Sequence, residues 1–467
     1  MKPMTTIFLA ATAAALTACA SVPRNAGATD VAQAVAQRGG PEIRWNTPPT
    51  AAENDRIAAI LQGELTADQA VAVAVSRSAR LQADLAELGI ARADLIEAST
   101  ITNPLFEAEV RFPAAPYHAY EFRIAQTLID LIQLPRRRAT GRAEFAAAQM
   151  RVSGTVLRFA ADVRSSYYDL VAANEQVELS RTTMAAAQAS AELALKQHEA
   201  GNITDLDLEN EQALYEQAKL DLARAQQQAL LARESLGRKM GVPSGAWRVA
   251  AVFPDLPPSE RNEEQLEQIA AAQRLDIEIA RRELAAAQAR IPLARVSVLN
   301  DLVADYHYQR DPSGKATGGP GIELPIPIFN TGRAARTRAE SEYLRARYTL
   351  DALQAEAASA LRAASSSVAE ARARVEYYRN VVLPRRDRIL ALTILEHNAM
   401  VVGTFQLLQA KQNQVQAQRD SIEAQRDYWT ARTNLDRALQ GTEPDTFIEP
   451  ATDQGLGKRA DMTGGGH

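Results

Sequence analysis

Residues Leu134–Phe145 read LPRRRATGRAEF, and residues Phe329–Ser341 read FNTGRAARTRAES. The shared triplet falls at Arg142-Ala143-Glu144 and again at Arg338-Ala339-Glu340, 196 positions later. Further along, His198-Glu199-Ala200 corresponds to His397-Asn398-Ala399, 199 positions apart. Leu206 and Leu208 then match Phe405 and Leu407, and Leu236 matches Leu435. A register that slips this slowly is what a divergent duplication leaves, and an internal repeat fixes the architecture before any local propensity does. The first copy spans 64–241 and the second 262–441. Residues 242–261, rich in Pro, Gly and Ser, join them. Residues 19–63 precede the repeat, and 442–467, ending in three glycines and a histidine, form a tail expected to be disordered.

Each copy orders its elements as helix, two strands, long helix, turn, helix. In the first, a helix is expected over Thr66–Ser99, with Thr66 and Gln69 spaced as a capping box. A second helix is expected from Arg137 without a break to Ala200-Gly201-Asn202, ~95 Å at 1.5 Å per residue. Its counterpart runs from Arg333 to Asn398, with a kink or loosened turn expected at Pro384. Helices of this length must lie along other helices. Apolar residues recur every seven positions at Val156, Val163, Leu170, Val177, Met184 and Ala191, and again at Leu361, Val368, Val375, Val382 and Ile389. That period predicts coiled-coil packing.

Between the helices the period is two. Phe106, Ala108, Val110 and Phe112 alternate with Glu107, Glu109 and Arg111, and Tyr120, Phe122 and Ile124 alternate with Glu121 and Arg123. In the second copy Val296, Val298, Leu302, Tyr306 and Tyr308 share a face, with Asn300 as the exception. Ile322, Leu324 and Ile326 oppose Glu323, and Pro325 and Pro327 end the ladder. Pro113–Pro116 and Asp311–Gly319 supply the turns. Strands with one apolar and one polar face fit a transmembrane barrel and equally an ordinary half-exposed sheet, but four cannot close a membrane barrel, since the smallest has about eight. A barrel therefore requires several copies of the chain.

Composition narrows the function. The 467 residues carry 52 basic and 57 acidic side chains, a net charge of −5, which lacks the basic excess of a nucleic-acid binder. No apolar run is long enough for a transmembrane helix. Lys2 and the apolar stretch Ile7–Ala18 form a secretory signal, residues 1–18, ending at Cys19, the only cysteine. Leu16-Thr17-Ala18-Cys19 resembles a bacterial lipobox, which implies cleavage before Cys19 and acylation of its thiol. Ala20 follows, where an Asp retains enteric lipoproteins in the inner membrane, so the outer membrane is expected.

The plan resembles the TolC-like outer membrane efflux proteins over about 60–441. The resemblance is carried by the duplication, by Asn103-Pro104 before the first strand, and by the run LPIPIFNTG from Leu324 to Gly332. It also draws on Val382-Leu383-Pro384 and on the turn AGNITDLDL, Ala200–Leu208. It implies a mainly α fold with β. Long coiled-coil helices would form a trimeric periplasmic α-barrel, and four strands per chain would complete a 12-stranded outer membrane β-barrel. It further implies a homotrimer embedded in outer membrane lipid. A periplasmic adaptor and an inner-membrane pump of the resistance-nodulation-division type would feed an export duct. Glu87–Asp94 (ELGIARAD) and Gly321–Phe329 (GIELPIPIF) are most similar to the branch serving heavy-metal pumps, a lead toward heavy-metal cations among the solutes, although channels of this family often do not choose the cargo.

The same resemblance suggests functional residues. The tips Ala200, Gly201, Asn202, Ile203, Thr204 and Met400, Val401, Val402, Gly403, Thr404 are expected to dock the adaptor, with Gly201 and Gly403 permitting the tight turns. Relatives often narrow the periplasmic mouth with carboxylates after the second tip. Here Gln406 and Gln409 stand at that aperture. Acids follow the first tip instead, at Asp205, Asp207, Glu209 and Glu211, where a helix N-terminus favours them anyway. His198 and His397 precede the two tips at equivalent positions, so a trimer would set six histidines near one rim, beside Glu199 and Glu396, as a pH- or metal-responsive element.

Catalytic patterns do not emerge. The five histidines show no metal-ligand spacing, and there is no phosphate loop or nucleophile elbow. A non-enzyme without cofactor or resident metal is expected. Two readings stand: the export duct, and a structural periplasmic coiled-coil lipoprotein or adaptor that braces the envelope. Aromatic two-faced strands favour the first; heptads alone allow either.

Overall fold

A computed structural model describes residues 26–43, 45, 50–112, 118–243, 245 and 247–442. The signal, Cys19, Ala20, the Pro113–Pro116 turn and residues 443–467 lie outside them. Helix α1 (Ala28–Ala36) buries Val31 and Val35 completely, and Gln149 donates to its Asp30 at 2.8 Å. Part of the segment preceding the repeat is thus fastened to the helical body. Helix α2 (Ala51–Gln62) leads to the short strand β1 (Glu64–Leu65).

Thr66 then caps helix α3 (Ala67–Arg77). Gln69 donates its N–H to the Thr66 hydroxyl at 3.2 Å, and Thr66 donates its own to Gln69 Oε1 at 2.9 Å, the reciprocal box its spacing predicts. The single helix expected to Ser99 is instead three: α3, α4 (Ala79–Leu85) and α5 (Glu87–Ser99). Buried Ser78 makes the first break. Its backbone is extended, and its hydroxyl accepts from Leu81 N–H at 3.4 Å, a local alternative to the helical bond.

After strands β2 (Leu105–Arg111) and β3 (Ala119–Thr127), helix α6 runs from Ile129 to Glu199, 71 residues. It begins eight residues before the expected Arg137. Pro135 reads as a stop, but Asp130 braces the turn ahead of it, accepting from Arg137 at 3.2 Å and from Thr102 N–H at 3.1 Å. Helix α7 (Asp205–Met240) returns beside α6.

The joining segment is packed rather than loose. Strand β4 (Arg248–Val249) pairs in parallel with β1, Trp247 and Phe253 are buried, and Trp247 Nε1 donates to the Pro243 carbonyl at 3.1 Å. The second copy then repeats the plan with α8 (Glu263–Gln273), α9 (Leu275–Val296), β5 (Val303–Arg310), β6 (Ala316–Glu323), α10 (Arg333–Tyr377), α11 (Leu383–Asn398) and α12 (Thr404–Gln440).

Three expectations for this copy need correction. Val296 ends α9 and Val298 lies in a 3-10 turn, so neither belongs to the strand face with Tyr306 and Tyr308. The turn from Asp311 ends before Gly319, because β6 starts at Ala316; Leu324 and Ile326 follow the strand instead of forming it. Gly318, Gly319, Pro320 and Gly321 read as a loop, yet a Cβ on Gly318 would lie 2.9 Å from the His307 carbonyl, an approach only glycine allows. At Pro384 the expected loosening is present, as a π turn over Tyr378–Val382.

The main core lies where both copies meet the flanking segments. Val156, Val163 and Leu170 are fully buried, and Leu361, Val368 and Val375 nearly so. Lower on the same stripe Val382 is only half-buried and Ile389 exposed, so the seven-residue register loses its partner below the π turn. The buried pair Arg274–Asp276, 2.5 Å apart, pins α9 to the Ala357 and Ala438 carbonyls, 3.3 and 3.2 Å from the guanidinium. Thr442, assigned by sequence to the tail, is buried and donates its N–H to the Arg437 carbonyl at 3.0 Å.

Candidate functional site: a two-faced sheet and two helix tips

The sheet stands at one end of the long helices, in the order β2-β3-β5-β6, every pair antiparallel. Its register sorts most side chains by polarity, with Gln126 on the apolar side and Leu105, Ala125 and Val303 on the charged side at the sheet's helix end. Phe106 faces Ile124, Ala108 faces Phe122 and Val110 faces Tyr120; Tyr306 and Tyr308 join Ile124 and Phe122 from β5, and Ile322 opposes Ala304. These share one face, with only Arg310 as a charge at its end. The other face carries Glu107, Glu109, Arg111, Glu121, Arg123, Asp305, His307, Gln309 and Glu323. There Arg123 on β3 binds all three other strands: Glu107 at 3.6 Å, Asp305 at 3.6 Å, and Glu323 in closer contact. Arg111 pairs with Glu109 at 2.7 Å and Glu121 at 3.6 Å. One face suits lipid and the other water. Among the described residues, β2 and β6 pair on one side only.

At the opposite end are the tips. In the first, Gly201 takes φ 72°, and Asn202 N–H donates to the Gln197 carbonyl at 2.8 Å, closing α6. Thr204 and Asp207 then form a capping box on α7. In the second, Val401 N–H donates to the Glu396 carbonyl at 2.9 Å, the same closure 199 positions on. The left-handed residue is Met400, φ 60°, in the place of Gly201. Gly403, expected to make this turn, is extended (φ −81°, ψ 171°) and serves as the residue before α12. Met400, Val401 and Phe405 are exposed, Met400 to 95%.

The histidines stand just before the tips but differ. His198 Nε2 lies 2.6 Å from Asp205 Oδ1, and His397 Nδ1 lies 3.2 Å from the Val402 carbonyl. Their partners are these groups rather than Glu199 and Glu396. Gln406 and Gln409 are exposed on the first turns of α12, and Gln409 donates to Asn413 at 3.3 Å. Among the described residues no three His, Cys, Asp or Glu side chains gather as metal ligands, and no helix is long and apolar enough to cross a membrane.

A family model described as outer membrane efflux protein matches residues 114–242 and 266–441, one block in each copy. The chain belongs to this family. It is an outer membrane efflux channel. The efflux chain is 24% identical, over 388 residues, to the cobalt-zinc-cadmium resistance protein CzcC of Cupriavidus metallidurans, covering 81% of this chain and 90% of CzcC. It is similar in fold to the outer membrane protein VceC of Vibrio cholerae (TM-score 0.66, 16% identity, 84% of this chain and 99% of that one). It is likewise similar to CusC (TM-score 0.67, 16% identity, 86% and 99%).

Sequence reading missed two of the channel's features. Arg123 as a hub across four strands was hidden because β6 was placed too late, which left Glu323 without its neighbours. Met400 was hidden because glycine is the default signal for a left-handed turn. The alignment of His198 with His397, extended one residue past Ala200 and Ala399, would have set Met400 opposite Gly201.

Proposed function

We propose that three copies of this channel join through β2 and β6 into a 12-stranded barrel, continued by an open helical duct. An inner-membrane pump of the resistance-nodulation-division type and a periplasmic adaptor would load it. The observation that carries this reading is the sheet: one aromatic and one charged face, two edges paired on one side only among the described residues, and long helical hairpins leaving it. A brace or adaptor has no use for an aromatic face backed by a charged one. By its similarity to CzcC, the cargo is proposed to be divalent transition-metal cations. Cys19 is proposed as the acylated anchor, auxiliary to the barrel. The tips 200–204 and 400–404 are proposed to dock the adaptor, with Gln406 and Gln409 lining the aperture and His198 and His397 forming the rim that cargo meets.

The decisive experiment is conductance of the purified protein in planar bilayers, with its mass in detergent. Discrete channels from a particle of three chains are expected; a monomer without conductance supports the envelope brace instead. Cys19→Ser is expected to abolish acyl labelling yet leave protein in the outer membrane. For the rim, single-channel records between pH 5.5 and 7.5 are compared with the His198→Gln, His397→Gln double variant. Identical profiles remove the histidines from the proposal.

A further inference from the structure

Where the sheet hands over to the helices, both copies present the same order of side chains. In the second copy Ile322 ends the apolar face, and the chain continues through Leu324, Ile326, Ile328 and Phe329, all exposed, Phe329 to 98%. Leu324 and Ile326 keep the spacing of Ile322. Pro325 and Pro327 have no N–H, so this strap cannot extend the ladder toward a neighbouring strand. Directly after it, the first two turns of α10 carry Arg333, Arg336 and Arg338, all exposed, with no acid in the first turn. None has an ion pair among the described residues; Arg336 donates only to the Thr331 carbonyl, at 3.3 Å. In the first copy exposed Leu131 and Ile132 precede Pro135 and exposed Arg136, which is likewise without an ion pair among the described residues.

Three arginines at the start of a helix, with no acid in its first turn and no ion pair to Glu340 or Glu342 one turn on, oppose its dipole. Such an arrangement is stabilised by an anion from elsewhere, and a guanidinium takes a phosphate in a two-point bond. The apolar strap next to the arginines, continuous with the lipid-facing side of the sheet, says what else that anion carries. Read from the membrane toward the periplasm, the order is apolar and then cationic, the order of acyl chain and phosphate in the leaflet on that side. The first copy repeats the apolar-then-cationic order, with Asp130 in the first turn of α6 and Arg136 two turns in.

We infer that this collar binds anionic glycerophospholipid of the periplasmic leaflet, with Leu131, Ile132, Ile326 and Phe329 against acyl chains and Arg136, Arg333 and Arg336 on phosphates. The inference rests on the sheet standing in the membrane.

Full-length protein, purified and stripped of lipid in mild detergent, is titrated with phosphatidylglycerol, phosphatidylcholine or glycerol 1-phosphate. Retained lipid is counted by native mass spectrometry and the melting temperature is followed. Phosphatidylglycerol is expected to be retained and to raise the melting temperature, and the other two to do neither. Arg136→Gln with Arg333→Gln and Arg336→Gln is expected to weaken that retention by about tenfold or more. Equal responses to phosphatidylglycerol and phosphatidylcholine, a response to glycerol 1-phosphate alone, or an unaltered response in the triple variant overturns the inference. Phe329→Ser is expected to keep the oligomer while lowering retention; loss of the oligomer in lipid-free detergent makes the strap a subunit contact and also overturns it. Conductance of the same preparation separates the two levels, because a conducting protein that fails these arms sinks only the collar.

Discussion

The two copies of the repeat are alike where their hairpins end and unlike where they turn. Gly241 after α7 and Gly441 after α12 take the same left-handed backbone, φ 65° and 64°. At the tips the likeness fades. The lower part of α6 buries Ser180, Ala187, Ala191 and Ala194, whereas α11 buries nothing. The first tip turns on a glycine and starts α7 with a full capping box; the second turns on Met400 and starts α12 without a side-chain cap. One ancestral hairpin has thus become a packed arm and a loosely held one. Small alanines on α6 and α7 allow close approach. The second arm leaves Ile389, Leu392, Ile394 and Leu395 exposed, free to meet whatever the assembled channel sets beside them.

The shared end should be the least tolerant of change. A Cβ at Gly441 would collide with the Asp276 carboxylate, itself locked to Arg274, and one at Gly241 would lie 2.6 Å from the Arg77 carbonyl. Gly441→Val adds left-handed strain to a disrupted buried ion pair, a loss on the order of 3 kcal/mol or more. Little folded protein in the outer membrane is expected, and Gly241→Val should behave alike. If either variant assembles at wild-type yield, the copies are less equivalent at this end than their backbones indicate.

A middle-sized effect should come from the tie between the arms. Arg419 on α12 meets Asp221 on α7 at 2.9 Å, and Gln217 and Arg224 add to the same carboxylate at 2.9 and 3.3 Å. Burial alone would raise the Asp221 carboxyl, but the hydrogen bonds from Arg419 and Gln217 and the charges of Arg419 and Arg224 outweigh it and hold the group below its ordinary range. A lowered folded value means the tie contributes above the unfolded value of about 3.9 and is lost as pH falls through the folded one. Hydrogen exchange in α11 and α12, corrected for intrinsic rate, should therefore stay level from pH 7.5 to 5 and quicken only in stronger acid. Asp221→Asn should quicken it several-fold at pH 7, for a loss of about 1 kcal/mol, and abolish the acid step. An acid step that survives the substitution would mean another group holds the second arm.

How far this asymmetry was legible follows from what each signal encodes. The duplication, the long helices, the Thr66 box and the loosened turn at Pro384 were plain, because periodicity and capping are local. The first-copy strands were readable because Glu and Arg alternate with aromatics. The second-copy strands were misplaced because β6 is made of Thr, Gly and Pro, tolerated only beside the β5 backbone it approaches. The start of α6 was hidden by Pro135, whose effect Asp130 offsets through bonds to Thr102 and Arg137. Burial of Trp247 was hidden because a Pro- and Gly-rich stretch reads as a loop whether or not it packs. The looseness of the second arm was out of reach, since heptad positions at Val382 and Ile389 look as apolar as those above them and lack only a partner.

The smallest effect tests why the second tip keeps a residue its backbone disfavours. A left-handed conformation costs a non-glycine residue ~1–2 kcal/mol, and Met400, almost wholly exposed, recovers none of it by packing within the chain. Met400→Gly relieves that strain but gives the unfolded segment more freedom, worth ~0.4–1 kcal/mol the other way. The net is a stabilisation of about 0.5–1 kcal/mol, seen as two- to fivefold slower amide exchange over residues 396–404. If Met400 were only a turn residue, adaptor docking would be unchanged or improved. Strain retained at an exposed apolar position is better explained by a surface used for contact. Crosslinking between a cysteine placed at Val401 and a cognate adaptor should accordingly fall in the Met400→Gly background while the tip itself is firmer. The mirror change, Gly201→Met, should quicken exchange at the first tip and leave that crosslink intact. Undiminished crosslinking in Met400→Gly would sink the docking role of this side chain, and the second tip would then differ from the first in stability alone.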